Sequence, residues 1–325
     1  MPPTCSQGNR VRPFRFSVAM PRLTGSVPAW KAELRRIEDL GFWSVTISEH
    51  LTQGWVMEPL VAMTAAVQST TTLRVLSLVI TNDYRHPVLL HKALATLDVL
   101  SEGRLEVGLG AGWMPSDYAA AGIPLDPARV RIDRLAESVE VVKGLFGPDP
   151  LTHRGTHYQI TDLDGLPKPV QAPHPPLLIG GGSRRVLELA GAVADIAGID
   201  ASMRDHRRRG SALLDLTESR VAEKLGIVRA AARAAGRDPG ELRYQTHVLS
   251  LHLTDVPGTR PWTSSLAADV SDPAVLADSP AVLHGSVGHC VETLQRRRER
   301  LGLDYIKLGG DLPAAAAIVA RLAGK

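Results

Sequence analysis

Apolar and polar positions along the chain follow two recurring patterns, short apolar runs and longer stretches that are apolar on one helical face. Residues 75–80 form an apolar run of the length expected for a buried parallel strand, and residues 86–100 carry leucine and alanine at helical spacing. A tight turn at 101–104 leads into a second strand at 105–109. The stretch 73–113 therefore predicts a strand–helix–strand unit whose second strand ends in glycines.

The same alternation of strand and helix continues through most of the chain. Strands are predicted at 16–20, 44–48, 75–80, 105–109, 177–180, 195–199, 248–254 and 304–308. Helices are predicted at 28–40, 59–68, 86–100, 129–146, 184–194, 217–235, 288–301 and 313–323. Eight strand–helix pairs indicate an α/β fold, a single (β/α)8 TIM barrel. The rival architecture, a doubly wound open sheet, rarely needs eight parallel strands.

Two irregular stretches rich in proline, 147–176 and 255–280, interrupt this alternation. They predict insertions after strands 4 and 7 of the barrel, and we expect them to roof the ligand pocket. One domain is expected over residues 14–325, preceded by a disordered leader at 1–13.

Composition and charge narrow the class of protein. The 325 residues are 44% hydrophobic and carry a net charge of only +3. The densest arginine clusters, 207–209 and 296–298, have no interleaved aromatic residues, so they predict solvated helix faces and no nucleic-acid partner. Cys5 and Cys290 lie far apart in sequence, which favours a reducing compartment. We see no secretory signal and no apolar stretch of membrane-spanning length, and we therefore expect a cytoplasmic protein without a membrane partner.

Ligand chemistry in a barrel of this kind collects at the carboxyl ends of the strands. Strand four ends in Gly110, Ala111 and Gly112, where backbone can approach a flat cofactor ring. Trp113 follows, either as a wall of the substrate pocket or as a core residue. A dinucleotide fingerprint is excluded here, because the third glycine falls one residue too early.

A second glycine cluster, Gly180, Gly181, Gly182 and Ser183, separates a predicted strand from a predicted helix. Backbone N–H groups at a helix start, with a serine in the capping position, favour binding of a phosphate. The alternative is a glycine-rich loop that only turns the chain.

Glu49 and His50 stand at the end of strand two and form the titratable pair best suited to catalysis near neutral pH. Neighbouring residues on a strand point to opposite faces, so only one of them is expected to face the barrel opening. The alternative for His50 is a hydrogen-bonded structural residue.

Metal binding has little support in the sequence. His153 and His157 are separated by a glycine, and His284, His289 and Cys290 lack a convincing fourth ligand. We therefore predict no metal site.

Several motifs, in this order, resemble the luciferase-like monooxygenase superfamily and within it the branch that uses the deazaflavin coenzyme F420. They are LRRIEDLGF at 34–42, NDYRHP at 82–87, LDVLSEGRLEVGLGAGW at 97–113, GIPLDP at 122–127, LDGLPKPVQAPHPPLLIGGGSRRVLELA at 163–190 and VADIAGI at 193–199. The resemblance covers about residues 14–200 and resumes weakly near 283–310.

This resemblance implies roles for particular residues. It implies a cofactor-phosphate site at the glycine cluster 180–183 and a non-prolyl cis peptide behind the cofactor ring, which we place at Ser77–Leu78. Asn82 is expected to make a polar contact to that ring, and His50 to handle a proton. The family's usual pair is Asp-His, so the replacement by Glu49 weakens the case for that residue more than for His50.

Three functions follow from the resemblance. The first is an F420-dependent oxidoreductase that transfers a hydride between the deazaflavin C5 and a small organic substrate. The second is an FMN-dependent monooxygenase, which would need reduced flavin from a partner reductase. The third is a non-catalytic cofactor-binding protein. A homodimer is the candidate assembly.

Overall fold

The computed structural model describes residues 12–52, 54, 56–203, 211–265 and 272–325. The strands in chain order are β1 Arg15–Ala19, β2 Ser44–Ile47, β3 Arg74–Ser77, β4 Ile80–Thr81, β5 Leu105–Gly110, β6 Leu151–Arg154, β7 Gln159–Leu163, β8 Leu177–Gly181, β9 Ile196–Ile199, β10 Arg243–His247, β11 Ser250–Leu253, β12 Trp262–Thr263, β13 Val282–Gly285 and β14 Leu303–Leu308. The helices are α1 Val27–Asp39, α2 Pro59–Val67, α3 Pro87–Leu100, α4 Pro115–Ala121, α5 Ala128–Phe146, α6 Arg184–Val193, α7 Ser211–Leu214, α8 Glu218–Ala234, α9 Pro273–Asp278, α10 Val287–Leu301 and α11 Leu312–Leu322.

Eight parallel strands close into a barrel in the order β1, β2, β3, β5, β8, β9, β10, β14 and back to β1, with β4 continuing β3. Helices on the outside cover the strands with their apolar faces. Helix α1, for example, begins at Ser26, whose hydroxyl accepts a hydrogen bond from the N–H of Ala29, and it buries Trp30 and Leu34. The predicted TIM barrel, with insertions after its fourth and seventh strands, is confirmed.

The seventh barrel strand lies earlier in the chain than predicted. Strand β10, Arg243–His247, fills this place, whereas the predicted run 248–254 contributes β11 to a separate three-stranded sheet with β12 and β13. The prediction was wrong because it followed the apolar run. The barrel strand carries Gln245 and His247, polar residues that no apolar pattern marks.

Both predicted insertions have structure of their own. The first, 147–176, contains the hairpin of β6 and β7, which packs on α5: the Glu137 carboxylate accepts hydrogen bonds from the backbone N–H groups of His157 and Tyr158. The second, 255–280, includes β12 and α9, and residues 266–271 within it lie outside the described part. The expected roof over the pocket stays a prediction.

The amino-terminal end of the barrel interior is closed by a buried polar cluster around Glu106. Its carboxylate accepts hydrogen bonds from Trp43 Nε1 at 2.9 Å and Tyr305 Oη at 2.6 Å. Arg15 and Arg74 approach the same carboxylate at 3.5 and 3.4 Å. Two hydrogen bonds and two ion pairs together satisfy the buried charge of Glu106, so this end is built for stability.

The expected leader, 1–13, falls mostly outside the described residues. Of its last two residues, Arg12 accepts a hydrogen bond on its carbonyl from Arg298 Nη1 at 3.1 Å, and Pro13 accepts one from Arg243 at 3.3 Å. Among the helices in the described ranges, none has the length and apolar character needed to cross a membrane.

Candidate active site at the barrel mouth

The carboxyl end of the barrel, here called the mouth, brings His50 together with an aspartate that lies 67 residues further along the chain. His50 Nδ1 is 2.7 Å from Asp117 Oδ2, and Asp117 is fully buried in helix α4. The Trp113 ring stands edge-on to the imidazole, with centroids 5.8 Å apart and planes at 84°. His50 therefore faces the mouth with one ring nitrogen held by a carboxylate.

Asp117 is held in its charged form by the loop that carries His50. Its Oδ1 accepts hydrogen bonds from the N–H of Thr52 at 3.0 Å and from the Thr52 hydroxyl at 2.5 Å. Burial alone would raise the pKa of Asp117, but the hydrogen bonds from Thr52 and His50 outweigh it and lower that pKa. An ionised Asp117 fixes the proton of His50 on Nδ1.

Glu49 points the other way, as neighbours on a strand must. It is 4% exposed, and its carboxylate accepts hydrogen bonds from the N–H of Thr81 at 2.8 Å and from both terminal nitrogens of Arg85. Glu49 thus ties the end of β2 to the turn after β4. The structure does not bring it to His50's partners, Asp117 and Trp113.

The non-prolyl cis peptide joins Leu78 and Val79, one residue beyond the predicted Ser77–Leu78. Ser77 instead lies in the barrel wall, where its hydroxyl donates to the carbonyl of Gly108 at 3.0 Å and accepts from the Gly108 N–H at 2.8 Å. Counting back from a downstream motif cannot fix such a position, because strand spacing gives no local signal for it. The carbonyl of Leu78 accepts a hydrogen bond from the Ser48 hydroxyl at 2.7 Å.

Glycines at the mouth make room for the side chain of Val79. A Cβ at position 110 would lie 2.5 Å from Val79 Cγ2, and one at position 180 would lie 3.1 Å from Val79 Cγ1. Gly110 is predicted to let a cofactor ring approach the backbone, and Gly180 to belong to a phosphate-binding cluster. In the structure, the side chain of Val79 occupies the space beside both glycines.

Arg131 of helix α5 holds the loop after β5. The sequence analysis did not identify this residue. Its guanidinium donates to the carbonyls of Ala111, at 2.9 Å, and Gly112. Gly112 has φ +72°, and a Cβ there would lie 1.9 Å from Tyr118 Oη. These contacts fix the backbone conformation of the loop, which places Ala111, Gly112 and Trp113 at the mouth.

Residues 180–183, here called the glycine turn, lie at the end of β8 and lead into α6. Ser183 takes the N-cap position with extended backbone, yet its hydroxyl makes no capping hydrogen bond. A Cβ on Gly182 would lie 2.3 Å from the carbonyl oxygen of Asp200, so the turn is pressed against the loop after β9. Free N–H groups at a helix start and an uncommitted hydroxyl together suit an anion.

Asn82 lies in the turn directly after β4. It is 1% exposed, and its Nδ2 donates to Tyr158 Oη of the β6–β7 hairpin at 3.4 Å. The expected contact of Asn82 with a cofactor ring stays a prediction.

Three titratable side chains stand at the ends of β9, β10 and β14. They are Asp200, His247 and Lys307, and His247 Nδ1 is 3.8 Å from Asp200 Oδ2. Burial lowers the pKa of His247 to about 4 and also lowers the pKa of Lys307, although Asp200 opposes both shifts. No spacing signal joins these residues in sequence, since they meet only when the barrel closes. In the part of the chain that the structure describes, no group of three or more histidine, cysteine, aspartate or glutamate residues is placed to hold a metal ion.

Comparison with known proteins agrees with this architecture. Residues 14–255 match the family model described as luciferase-like monooxygenase. An FMNH2-dependent dimethylsulfone monooxygenase of Pseudomonas putida is 27% identical over 226 residues, which are 62% of each chain. An F420-dependent glucose-6-phosphate dehydrogenase of Amycolatopsis mediterranei is 28% identical over 166 residues, 49% of each chain.

The chain thus spans about half to three fifths of the length of these two relatives. Among solved structures, monooxygenase RslO1 from Streptomyces bottropensis superposes with a TM-score of 0.72 at 24% identity, over 95% of this chain and 97% of that one. The family match extends over most of the chain and includes the strands that carry His50 and the glycine turn. The chain belongs to the luciferase-like monooxygenase family.

Proposed function

We propose that this protein is an F420-dependent oxidoreductase that transfers a hydride between the deazaflavin and a small organic substrate. The observation that carries the proposal is the His50–Asp117 pair at the mouth, beside Trp113. When bound, the deazaflavin supplies the hydride donor or acceptor. The similarity to an F420-dependent dehydrogenase supports the choice of cofactor.

The glycine turn fits the phosphate of such a cofactor. Helix α6 directs its first N–H groups to this turn, and Ser183 keeps a hydroxyl that the helix does not use. The neighbouring arginines are already paired, Arg184 with Glu188 at 3.5 Å and Arg185 with Asp133 at 2.5 Å. Phosphate recognition here would rest on the backbone and Ser183 more than on these guanidinium groups.

Ala111, Gly112 and the backbone at Leu78–Val79 would hold the flat ring. Arg131 fixes the first two through their carbonyls, and Ser48 fixes the third through the carbonyl of Leu78. We assign Glu49 a positioning role, because its carboxylate joins the two strand ends on which this surface and His50 lie.

His50 would move the proton that accompanies hydride transfer. When a carbonyl carbon gains a hydride, its oxygen must gain one proton; when an alcohol carbon loses a hydride, its oxygen must lose one. Asp117 accepts a hydrogen bond from Nδ1, so Nε2 is the ring atom that would give or take this proton. Asp117 stabilises the charged imidazole in the same way as the carboxylate of other histidine pairs.

A titration of cofactor-free protein with F420 and with FMN tests the choice of cofactor. We expect F420 to bind at least about tenfold more tightly, a difference of about 1.4 kcal/mol. A tenfold preference for FMN would overturn the proposal. Binding of F420 without any substrate-dependent change in its redox state, over a panel of alcohols and carbonyl compounds, would leave a binding protein without catalysis.

Substitutions at Ser183 test the phosphate site. Ser183→Asp keeps a good N-cap residue but places a negative charge where the phosphate should lie, and Ser183→Asn is the matched neutral control. We expect the dissociation constant for F420 to rise more than tenfold in the aspartate variant and by a few-fold in the asparagine variant. Equal affinities in the two folded variants would place the phosphate elsewhere.

An FMN-dependent monooxygenase is the second candidate. The similarity to an FMNH2-dependent enzyme favours it, since that alignment covers more of the chain than the alignment with the F420-dependent relative. This function would need a partner reductase to supply reduced flavin. The same titration separates the two candidates, because they call for different cofactors.

A further inference from the structure

A small cavity opens at the mouth between the ends of β1, β2 and β14. Its volume is about 140 Å³, and its lining includes Met20, Thr46, Ser48, Arg22 and Lys307. Two of these side chains are cationic, and none of the described residues that line the cavity is acidic. Pockets that enclose a whole small-molecule ligand are usually about 300–1,000 Å³ in volume, so this cavity has room for one chemical group of a ligand.

Lys307 is turned into this cavity by the register of β14. Tyr305, two residues earlier, is buried inside the barrel with Leu76 and Leu178, and residues two apart on a strand share a face. The Lys307 ammonium makes no hydrogen bond or ion pair with the residues that the structure describes. Burial lowers its pKa, while the Asp200 carboxylate partly offsets this shift.

The carboxylate of Asp200 acts on Lys307 electrostatically, but it makes no hydrogen bond or ion pair with the ammonium group. Asp200 Oδ1 accepts a hydrogen bond from the N–H of Ala201 at 2.7 Å, and Oδ2 lies 3.8 Å from His247 Nδ1. Lys224 donates to the carbonyl of Asp200 at 2.6 Å but is itself paired with Asp215 at 2.7 Å. The hydroxyls of Thr46 and Ser48 donate to backbone carbonyls. The cavity wall therefore presents an ammonium and a guanidinium group, and none of its described residues supplies an anion.

The position of the cavity separates it from the glycine turn. In the eight-stranded barrel, β1 and β8 are four strands apart in either direction, so they face each other across the mouth. A cofactor phosphate at the end of β8 would leave the ends of β14 and β1 for another ligand. The second insertion adds a wall there, since Trp262 packs so closely on Gly309 that a Cβ would lie 1.9 Å from the indole ring.

We propose that Lys307, assisted by Arg22, binds an oxyanion of the substrate, so that this enzyme acts on compounds carrying a carboxylate, sulfonate or phosphate group. The inference rests on the proposed function in one respect, namely that the ligand opposite the glycine turn is the substrate. An ammonium group in a half-buried cavity binds such an anion through charge-assisted hydrogen bonds.

Calorimetric titration of the full chain with sodium benzoate, inorganic phosphate and neutral benzamide tests the site. We expect benzoate to bind at least about tenfold more tightly than benzamide, and Lys307→Met to remove this difference. Arg22→Met should weaken benzoate binding by a few-fold. Lys92→Met, on the outer face of α3, is the matched control and should change nothing.

Lys307→Arg keeps the charge and should keep benzoate binding. This variant tests the site even if the methionine variant fails to fold. Unchanged benzoate affinity in a folded Lys307→Met variant would overturn the proposal.

The titration is then repeated with F420 or FMN bound. Persistent anion binding supports a substrate site, whereas competition would show that the cofactor's own phosphate occupies it and would overturn the assignment. A protein that binds neither cofactor but still distinguishes benzoate from benzamide through Lys307 would contradict the proposed function alone.

Discussion

The two ends of the barrel interior both contain buried charged groups, but they differ in how many protein partners those groups have. At the amino-terminal end, two arginines, an indole N–H and a phenol hydroxyl surround the carboxylate of Glu106. At the mouth, Lys307 has no hydrogen-bonding partner in the described chain, and His247 has its pKa lowered by burial to about 4.

This difference assigns the amino-terminal end of the barrel to stability and the mouth to ligand binding. A charge that is satisfied within the protein contributes to the fold, whereas one held without a partner raises the energy of the folded protein until a ligand arrives. Barrels of this class generally place ligands at the carboxyl ends of the strands, and here the charge pattern alone would assign the mouth.

The largest effect is expected at the mouth, from His50→Asn. Turnover, followed as the substrate-dependent change in cofactor absorbance, should fall about 10²–10⁴-fold, because a positioned general acid or base contributes about this much. Asparagine keeps a polar group beside Asp117, so the melting temperature should change little.

The control for this variant is His86→Asn, since His86 is exposed at the N-cap of α3, where asparagine also caps well. Its turnover should match that of the wild type. A His50→Asn protein that is destabilised but fully active would show that His50 belongs with the structural residues.

At the other end, Glu106→Gln should lower the free energy of unfolding. Removing one partner of a buried ion pair costs about 3–5 kcal/mol, and we expect the lower value because the side chains of Arg15 and Arg74 are 24% and 16% exposed. Cofactor affinity of the folded variant should not change. Denaturant unfolding measures the effect, with Glu140→Gln on the outer face of α5 as the control. An effect below about 1 kcal/mol would mean that the cluster is not a stability element.

His91 lies on helix α3, outside the barrel interior. It shows how a buried imidazole with no proposed ligand makes stability depend on pH. His91 is 2% exposed beside Phe146, and burial, with smaller contributions from Lys168 and Lys92, lowers its pKa to about 4. The unfolded chain binds this proton first, near pH 6.5. The free energy of unfolding should therefore fall as the pH drops from about 6.5 to about 4, by up to about 3 kcal/mol from this residue.

His91→Leu should remove that part of the pH dependence while preserving turnover. Unfolding curves at pH 7 and pH 4.5 on both proteins provide the measurement. The same slope in both proteins would mean that His91 is protonated in the folded state.

The smallest effect should have the opposite sign. Lys307→Met replaces an unpaired, partly buried charge with an apolar chain of similar length, and we expect it to raise the free energy of unfolding by about 0.5–1 kcal/mol at pH 7. Glu106→Gln and Lys307→Met would then move stability in opposite directions. A destabilised Lys307→Met protein would contradict the contrast between the two ends.

Local patterns were sufficient to predict the barrel and the strand–helix–strand unit at 73–113. Periodicity reports how each segment buries its apolar face, and this unit has an apolar strand and an amphipathic helix. The seventh strand, Arg243–His247, escaped prediction because its inward residues are polar. Polar residues on the inner face thus obscured the apolar pattern by which a strand is recognised.

The candidate site was predictable only where its residues follow strands directly. His50 and the glycine turn were named on that basis. Asp117, Arg131 and Lys307 could not be found this way, since each meets the site through contacts that span tens to hundreds of residues. One weak signal existed for Asp117: Pro115 directly after the glycine loop marks a helix start, which places the acid in its first turn.

The close packing of Val79 with the glycines around it also limits how this sequence can change over time. Space for a side chain at position 110 exists only if position 79 shrinks first, whereas at position 180 the side chain of Val79 would need to give way only slightly. A lineage could accept Gly110→Ala once a smaller residue has arisen at position 79, whereas the reverse order passes through a clashing intermediate. These positions should therefore diverge together or not at all, and their history constrains the order in which a new cofactor surface could evolve.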